Sequence, residues 1–381
     1  MGGLTRLEEL DSPSAAGGKG ASLAWLAAHG YRTPPTLVVP PGTSPDVSDL
    51  DPAKRYAVRS SANVEDGSVA SYAGQFLTVL DVTSHERIAE AIAAVQASVA
   101  SPEVSSYAAH MHEGTEIVMT VLVQEMITPK VSGVVFTRNP ITGLNEVVIE
   151  AVAGRGDQLV EDGVTPQRWV RRWGGWSTEP AVPVIPDEVV TVIAAEAAEI
   201  AAEYGRPADL EWVWDGSEVW WVQIRPITGI DDIALYSNRI SKEVMPGLIK
   251  PLVWSVNVPV VNRAWIQLFT EAIGSNDLES DDLAKPFAYR SYFNMGAIGD
   301  IFELLGMPRD SLEVLLGLPE GPDKPKFKPS ATTFRKTPRL LAFAARKSGY
   351  GKDTDKLLGK LRQEYRAYDS DLSDKSDGEL I

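Results

Sequence analysis

Hydrophobic and polar positions follow two rhythms over the first 230 residues. Apolar, β-branched runs at residues 36–39, 56–59, 75–82, 116–127, 132–137 and 146–152 predict strands. The last two are joined by Arg138-Asn139-Pro140-Ile141-Thr142-Gly143, a stretch rich in turn formers. A 3.6-residue rhythm predicts a helix over 18–29, opening at Gly-Gly-Lys and closing at Gly30. A second helix is capped by Thr83, with Glu86 completing a capping box. Ile88, Ile92, Val95 and Val99 form its stripe, and Pro102 ends it. A third runs from Pro186 to Tyr204, with Val189, Ile193, Ala197, Ile200 and Tyr204 on one face and Gly205 and Pro207 as its stop. Strands and helices intermix in an antiparallel-leaning order, which is an α+β pattern.

The sharpest segment is Ala208 to Pro226, two β-rich runs about an Asp215-Gly216 turn. Among its Trp, Val and Ile residues stand Asp209, Glu211, Gln223 and Arg225. Burying such groups in an apolar sheet is costly unless each is paired or a charged ligand binds. The oxygens of Glu211 and Gln223 suit Mg2+, and the fork of Arg225 suits a phosphate. A three-residue loop, Asp215 to Ser217, would set Asp209 opposite Gln223, with Glu211 diagonal to it and Arg225 on the same face. A two-residue loop would throw Gln223 and Arg225 to the far side. A ligand site therefore needs the odd loop or a bulge; the alternative is a salt-bridged hairpin without a ligand.

After Thr228-Gly229 the pattern changes. Residues 237–300 read as mainly helical, punctuated by Pro246, Pro251 and Pro259, with an amphipathic run from Val260 to Ile273. Residues 318–338 are rich in Pro and Lys and read as a linker, 339–368 as helices, and the tail from Asp369 as frayed. The expected domains are 1–229, 230–318 and 319–381.

Composition narrows the function classes. Net charge is −16, which argues against non-specific nucleic-acid binding. Residues 320–381 hold 14 Lys and Arg against 10 Asp and Glu, so of the chain's 36 and 52 the first 319 residues hold 22 against 42. The absence of cysteine excludes disulfides, thiol catalysis and Cys-ligated metals. No apolar run approaches the roughly 18 residues of a membrane span, and the opening residues lack a signal-peptide core, so a cytoplasmic protein is expected.

Further polar islands stand out. Gly17-Gly18-Lys19-Gly20 sets a lysine at a helix start, either a plain cap or an anion site. Arg59-Ser60-Ser61-Ala62-Asn63-Val64-Glu65-Asp66 leads on to Ser71-Tyr72-Ala73-Gly74-Gln75. Its small residues would let backbone amides approach a phosphate that Arg59 holds, or they form an ordinary surface loop. Val123-Gln124-Glu125-Met126 is either core strand or one wall of an adenine pocket.

In order, Gly-Gly-Lys-Gly-Ala-Ser-Leu, Ala-Val-Arg-Ser-Ser-Ala-x-x-Glu-Asp, Ala-Ser-Tyr-Ala-Gly-Gln, Val-Gln-Glu-Met, Ser-Gly-Val-Val-Phe-Thr-Arg-Asn-Pro-Ile-Thr-Gly and Asp-Leu-Glu-Trp…Gln-Ile-Arg-Pro resemble one family. It is the ATP-binding region shared by phosphoenolpyruvate synthases, pyruvate phosphate dikinases and rifampicin phosphotransferases. The resemblance spans residues 8–228 and implies an ATP-grasp-type fold of two subdomains over Mg-ATP, followed by a mainly helical segment. It implies that Lys19, Arg59 and Arg225 hold the triphosphate, Glu211 and Gln223 ligate Mg2+ with Asp209 beside them, Ser71, Ala73, Gly74 and Gln75 cover the phosphates, and Gln124, Glu125 and Met126 line the adenine pocket.

In that family ATP phosphorylates a histidine on a mobile carrier domain, which serves the acceptor. The four histidines here, His29, His85, His110 and His112, lack its Gly-rich Ser/Thr-Ser-His-x-Ala setting; His85 follows Thr83-Ser84 but is flanked by Asp-Val and Glu-Arg-Ile. The expected function is an Mg-ATP-dependent phosphotransferase module whose carrier histidine lies elsewhere, with a pyruvate-like or antibiotic-hydroxyl acceptor. The alternative is a non-catalytic ATP-binding regulatory subunit or a truncated relic. Two departures from the family are a short stretch from Pro41 to Arg55, and Arg155 in Gly154-Arg155-Gly156-Asp157, where the family tends to be apolar. Asn238, Arg239 and Lys242 are either acceptor contacts or part of a helical support.

Overall fold

The computed structural model describes residues 4–10, 12–63, 77–100, 117–156, 165–230, 233–244, 246–274, 283–304, 312–316, 322 and 331–367. The chain divides into two compact units, Met1–Ile233 with Pro319–Lys324, and Ala234–Leu318 with Pro325–Ile381.

The first unit contains two antiparallel sheets. One has strand order β1-β2-β5-β3-β4, built from Thr5–Arg6 (β1), Thr36–Val39 (β2), Tyr56–Ala62 (β3), Thr78–Val82 (β4) and Met119–Glu125 (β5). The other has order β11-β10-β6-β7-β8-β9, from Val131–Phe136 (β6), Glu146–Ala153 (β7), Gln167–Arg172 (β8), Gly175–Thr178 (β9), Ala208–Trp214 (β10) and Val219–Pro226 (β11). Helices Gly17–Ala28 (α1), His85–Ala97 (α2) and Asp187–Tyr204 (α3) cover them. The α+β character is as expected. Strands β8 and β9 fall in a stretch that the pattern reading passed over.

Strand parity decides which face is core. On the first sheet Val58, Val121 and Val123 pack with Ile88, Ile92 and Val95 of α2. On the second, Leu210, Trp212, Trp221, Ile224, Ile149 and Trp169 pack with Ile193, Ala197 and Ile200 of α3. The buried row of α3 includes Val190, while Val189 lies only partly buried beside it. Helix α2 is capped by Ser84, not Thr83: the Arg87 N–H donates to Ser84 Oγ at 3.4 Å. The cap moves one residue because the helix begins at His85, which makes Ser84 the residue whose hydroxyl reaches the N–H three positions on.

Helix α1 is the link between the sheets. Leu23 and Leu26 share one core with Val38 and Leu122 of the first sheet and Leu210 and Ile224 of the second. Its start is sewn to β3, since Ser61 Oγ accepts the Gly20 N–H at 2.9 Å and donates to the Ala16 carbonyl at 2.6 Å. Gly17 stands at φ +72, where an added Cβ would lie 2.0 Å from the Ser61 carbonyl oxygen. Close approach of helix to strand thus requires glycine at that position.

The second unit is mainly helical, with Ser241–Val244 (α4), Pro251–Ile273 (α5), Met295–Leu304 (α6), Leu312–Leu315 (α7), Ala331–Ser348 (α8) and Tyr350–Ala367 (α9). It also holds a small sheet, Tyr236–Ser237 (β12), Ala284–Phe287 (β13) and Arg290–Asn294 (β14), in the order β12-β14-β13. Leu283, Phe293, Met295 and Ile298 centre its core, with Trp265 and Phe269 of α5 against them. The linker expected over 318–338 is helical from Ala331, because Pro338 is carried inside α8 rather than ending it. Among the described residues no helix is long and apolar enough to cross a membrane.

Candidate functional site

The β10–β11 hairpin is held at its tip by Asp215. Its Oδ1 accepts from the Ser217 N–H, the Ser217 hydroxyl and the Glu218 N–H, each at 2.8 Å, and its Oδ2 accepts from the Trp220 indole at 2.9 Å. The loop is therefore four residues, with Trp214 opposite Val219, so of the two ways to a shared face, an odd loop or a bulge, the odd loop is not the one used. An even loop alone would put Gln223 and Arg225 on the wrong face. A bulge between Glu211 and Trp212 restores the parity, setting Glu211 opposite Gln223 and Asp209 opposite Arg225. The bulge replaces the Asp209–Gln223 opposition that a three-residue loop would have given, and all four polar groups share one face.

Partial burial works against ionisation at Asp215, but the donors at Glu218, Trp220 and Ser217 outweigh it and hold the carboxyl well below the usual carboxylate range. A lowered folded value stabilises the fold above the ordinary carboxylate pKa and loses that contribution as pH falls through the lowered value. Asp215→Asn is expected to cost about 1–2 kcal/mol at pH 7 in urea denaturation. The gap from wild type should close only in strongly acid solution.

On the site face Arg225 lies 3.2 Å from Asp209 Oδ2 and 3.7 Å from Glu211 Oε1. Those pairs leave much unsatisfied. Asp209 Oδ1, Gln223 Nε2 and Arg59 Nε are buried without a hydrogen-bond partner. Burial pushes the Asp209 carboxyl up, against the pull of Arg225. A divalent cation against this face would reverse that penalty. Among the described residues no group of three or more His, Cys, Asp or Glu is placed to hold a metal. The donor set still fits magnesium bound with a nucleotide, which takes one or two carboxylates and fills its remaining positions with phosphate and water.

A cavity of about 610 Å3 lies between the two sheets. Arg59, Gln124, Glu125 and Met126 line it from the first sheet and Glu211 from the second. Lys19, Asp209, Gln223 and Arg225 do not line it; the last three extend the Glu211 face beyond its end. Lys19 sits in the first turn of α1, which touches both β3 and β11. Ser71, Ala73, Gly74 and Gln75 lie outside the described residues, as do His110 and His112.

Strand directions give the cavity two unlike ends. Passing from Gln124 to Leu122 and Thr120 along β5 leads past Arg59 to Ser61 and the start of α1. On the other wall, Val213 to Glu211 to Asp209 runs towards the acidic face. One end is thus charged, with Arg59 and Glu211. The other is walled by Met126, Ile127, Pro129 and Val213. Gln124 spans the middle, 4% exposed, its amide donating to Thr36 Oγ1 at 3.2 Å.

Two charged lining residues were not assigned to the site in the sequence reading. Glu150 was legible as a lone acid in the apolar run of β7, and it lies 3.6 Å from Arg168. Arg155, just after β7, lines the end with Met126 and Ile127 and pairs with Asp81 of β4.

Residues 42–177 match the family model described as pyruvate phosphate dikinase, AMP/ATP-binding domain. That stretch is similar to dikinase-type ATP-binding domains. A probable phosphoenolpyruvate synthase of Archaeoglobus fulgidus is 32% identical over 204 residues, covering 46% of this chain and 27% of that protein. A rifampicin phosphotransferase of Streptomyces sp. is 29% identical over 301 residues, covering 68% of this chain and 33% of that protein. The chain therefore spans about a quarter to a third of the length of these relatives. Among solved structures, an L-amino acid ligase from Bacillus licheniformis overlays with a TM-score of 0.35 at 14% identity, covering 57% of this chain and 45% of that one. The dikinase-type match contains Arg59 and Gln124 to Met126 but stops short of the β10–β11 hairpin, whose role rests on its own geometry.

Proposed function

We propose that residues 1–229 form an ATP-grasp-type module that binds Mg-ATP in the cavity between the sheets. It passes a phosphoryl group to a carrier histidine supplied elsewhere, as a step towards a pyruvate-like or antibiotic-hydroxyl acceptor. The observation that carries this is the single cavity on which Arg59, Gln124, Met126 and Glu211 converge, with unsatisfied polar atoms of Asp209 and Gln223 on the adjoining face. The base would lie at the end with Met126 and Ile127, and the triphosphate at the end with Arg59, where Lys19 and Arg225 add positive charge.

Glu211 and Gln223 would hold magnesium, which when bound neutralises phosphate charge and orients the transferred group. The chain's own residues position and neutralise: Arg59 would grip phosphate oxygens through its fork, Lys19 would add a positive charge, and Arg225 is kept in place by Asp209. Ser71 to Gln75 would cover the phosphates. Residues 230–318 would begin a linker or acceptor domain and 319–381 a basic linker with C-terminal helices, the whole working in the cytoplasm.

A regulatory ATP-binding role is favoured by one observation. His29 Nδ1 is 2.8 Å from the Trp25 carbonyl and His85 Nε2 is 2.8 Å from the Leu50 carbonyl, and neither lines the cavity. Incubation with labelled ATP, with and without a carrier domain taken from a relative, separates the two roles. Label reaching the carrier supports transfer. ATP bound with no transfer under either condition supports regulation.

A further inference from the structure

Arg155 is the departure from the family noted in the sequence, and the structure gives it a specific place. It follows β7 of the second sheet and pairs with Asp81 on β4 of the first, across the end of the cavity lined by Met126 and Ile127. Asp81 gathers this end together. Its Oδ1 lies 3.2 Å from Arg55 Nη1, its backbone N–H is 3.2 Å from Met126 Sδ, and its own φ is 56. Arg55 is tied further to Thr128 Oγ1 at 3.4 Å. A left-handed aspartate braced by two guanidiniums is a backbone held in place by its surroundings.

The charge of Arg155 is met by the protein itself, at the end of the cavity away from Arg59 and Glu211. That is the end opposite the one proposed for the triphosphate. What it offers the cavity is a planar, neutralised guanidinium beside the thioether of Met126 and the side chains of Leu80 and Ile127. Such a plane is a stacking surface for a flat heteroaromatic ring, a role that the compact ammonium of lysine cannot fill.

Building on the nucleotide site proposed above, we propose that Arg155, fixed by Asp81, stacks on the purine ring of the bound nucleotide and is a positioning and specificity residue for the base. The test is calorimetric titration of the full chain with ATP and, separately, with tripolyphosphate, both with Mg2+. Arg155→Leu should weaken ATP binding about tenfold and leave tripolyphosphate within about twofold. Arg155→Lys, which keeps the charge and guards against a folding defect, should weaken ATP in the same direction. Equal loss for both ligands, or no loss for ATP, would overturn the stacking role. Wild-type chain that binds tripolyphosphate no more weakly than ATP would overturn the base contact and leave the phosphate site standing. Wild-type chain that binds neither would overturn the nucleotide site, and this inference with it.

Discussion

Replacing Glu211 and Gln223 together by alanine is expected to erase the rise in Tm that Mg-ATP gives the wild-type chain. A ligand at a hundred times its Kd stabilises the folded state by about 2.7 kcal/mol. For a unit of this size that corresponds to a shift of about 5–10 °C. Without nucleotide the double variant should differ from wild type by no more than about 1 kcal/mol. Gln223 Nε2 has no partner to lose, and Glu211 gives up only a pair at 3.7 Å with Arg225. A site built for a ligand shows this signature, with little change when empty and a large change when filled. An undiminished shift in the double variant would remove the metal site.

Gly17→Ala is expected to cost at least about 3 kcal/mol in chemical denaturation. The backbone stands at φ +72, and the new Cβ would meet the Ser61 carbonyl oxygen at 2.0 Å and Ser61 Oγ at 2.6 Å. Relief requires α1 to move off β3, which breaks both Ser61 hydrogen bonds and carries Lys19 away from the charged end of the cavity. ATP affinity should therefore fall together with stability. Gly30→Ala is the control, since Gly30 has φ +85 with nothing within 4 Å of its added Cβ. It should cost only the strain of a left-handed alanine, about 1 kcal/mol. Equal losses at the two positions would mean that the contact with Ser61 does not matter.

The polar set of the hairpin was legible because acids, an amide and a guanidinium interrupt an apolar pattern, which is costly without a purpose. Its register was not legible. Whether Asp209 faces Gln223 or Arg225 depends on where one extra residue is taken up, and Val222 leaves no composition signal for a bulge. Helix α1 was read to within one residue, whereas the cap of α2 was misplaced between two adjacent hydroxyls. Strands β8 and β9 were passed over because Arg168, Arg171 and Arg172 hide the alternation of an outer pair of strands. The β13–β14 hairpin turns through Ala288 and Tyr289 at φ 48 and 60, positions where glycine or asparagine usually announces such a turn. Arg155 was noticed only as a departure, since its partner Asp81 lies 74 residues away in sequence.

The walls of the cleft are fastened unequally. Near Ser61 they share a continuous apolar interior through α1, while near Met126 the salt link of Asp81 and Arg155 crosses between them, each side chain about a third exposed at 37% and 32%. Dissolved salt, which loosens exposed charge pairs and leaves oily contacts intact, is therefore expected to weaken the fastening at the rim and spare the one at the root.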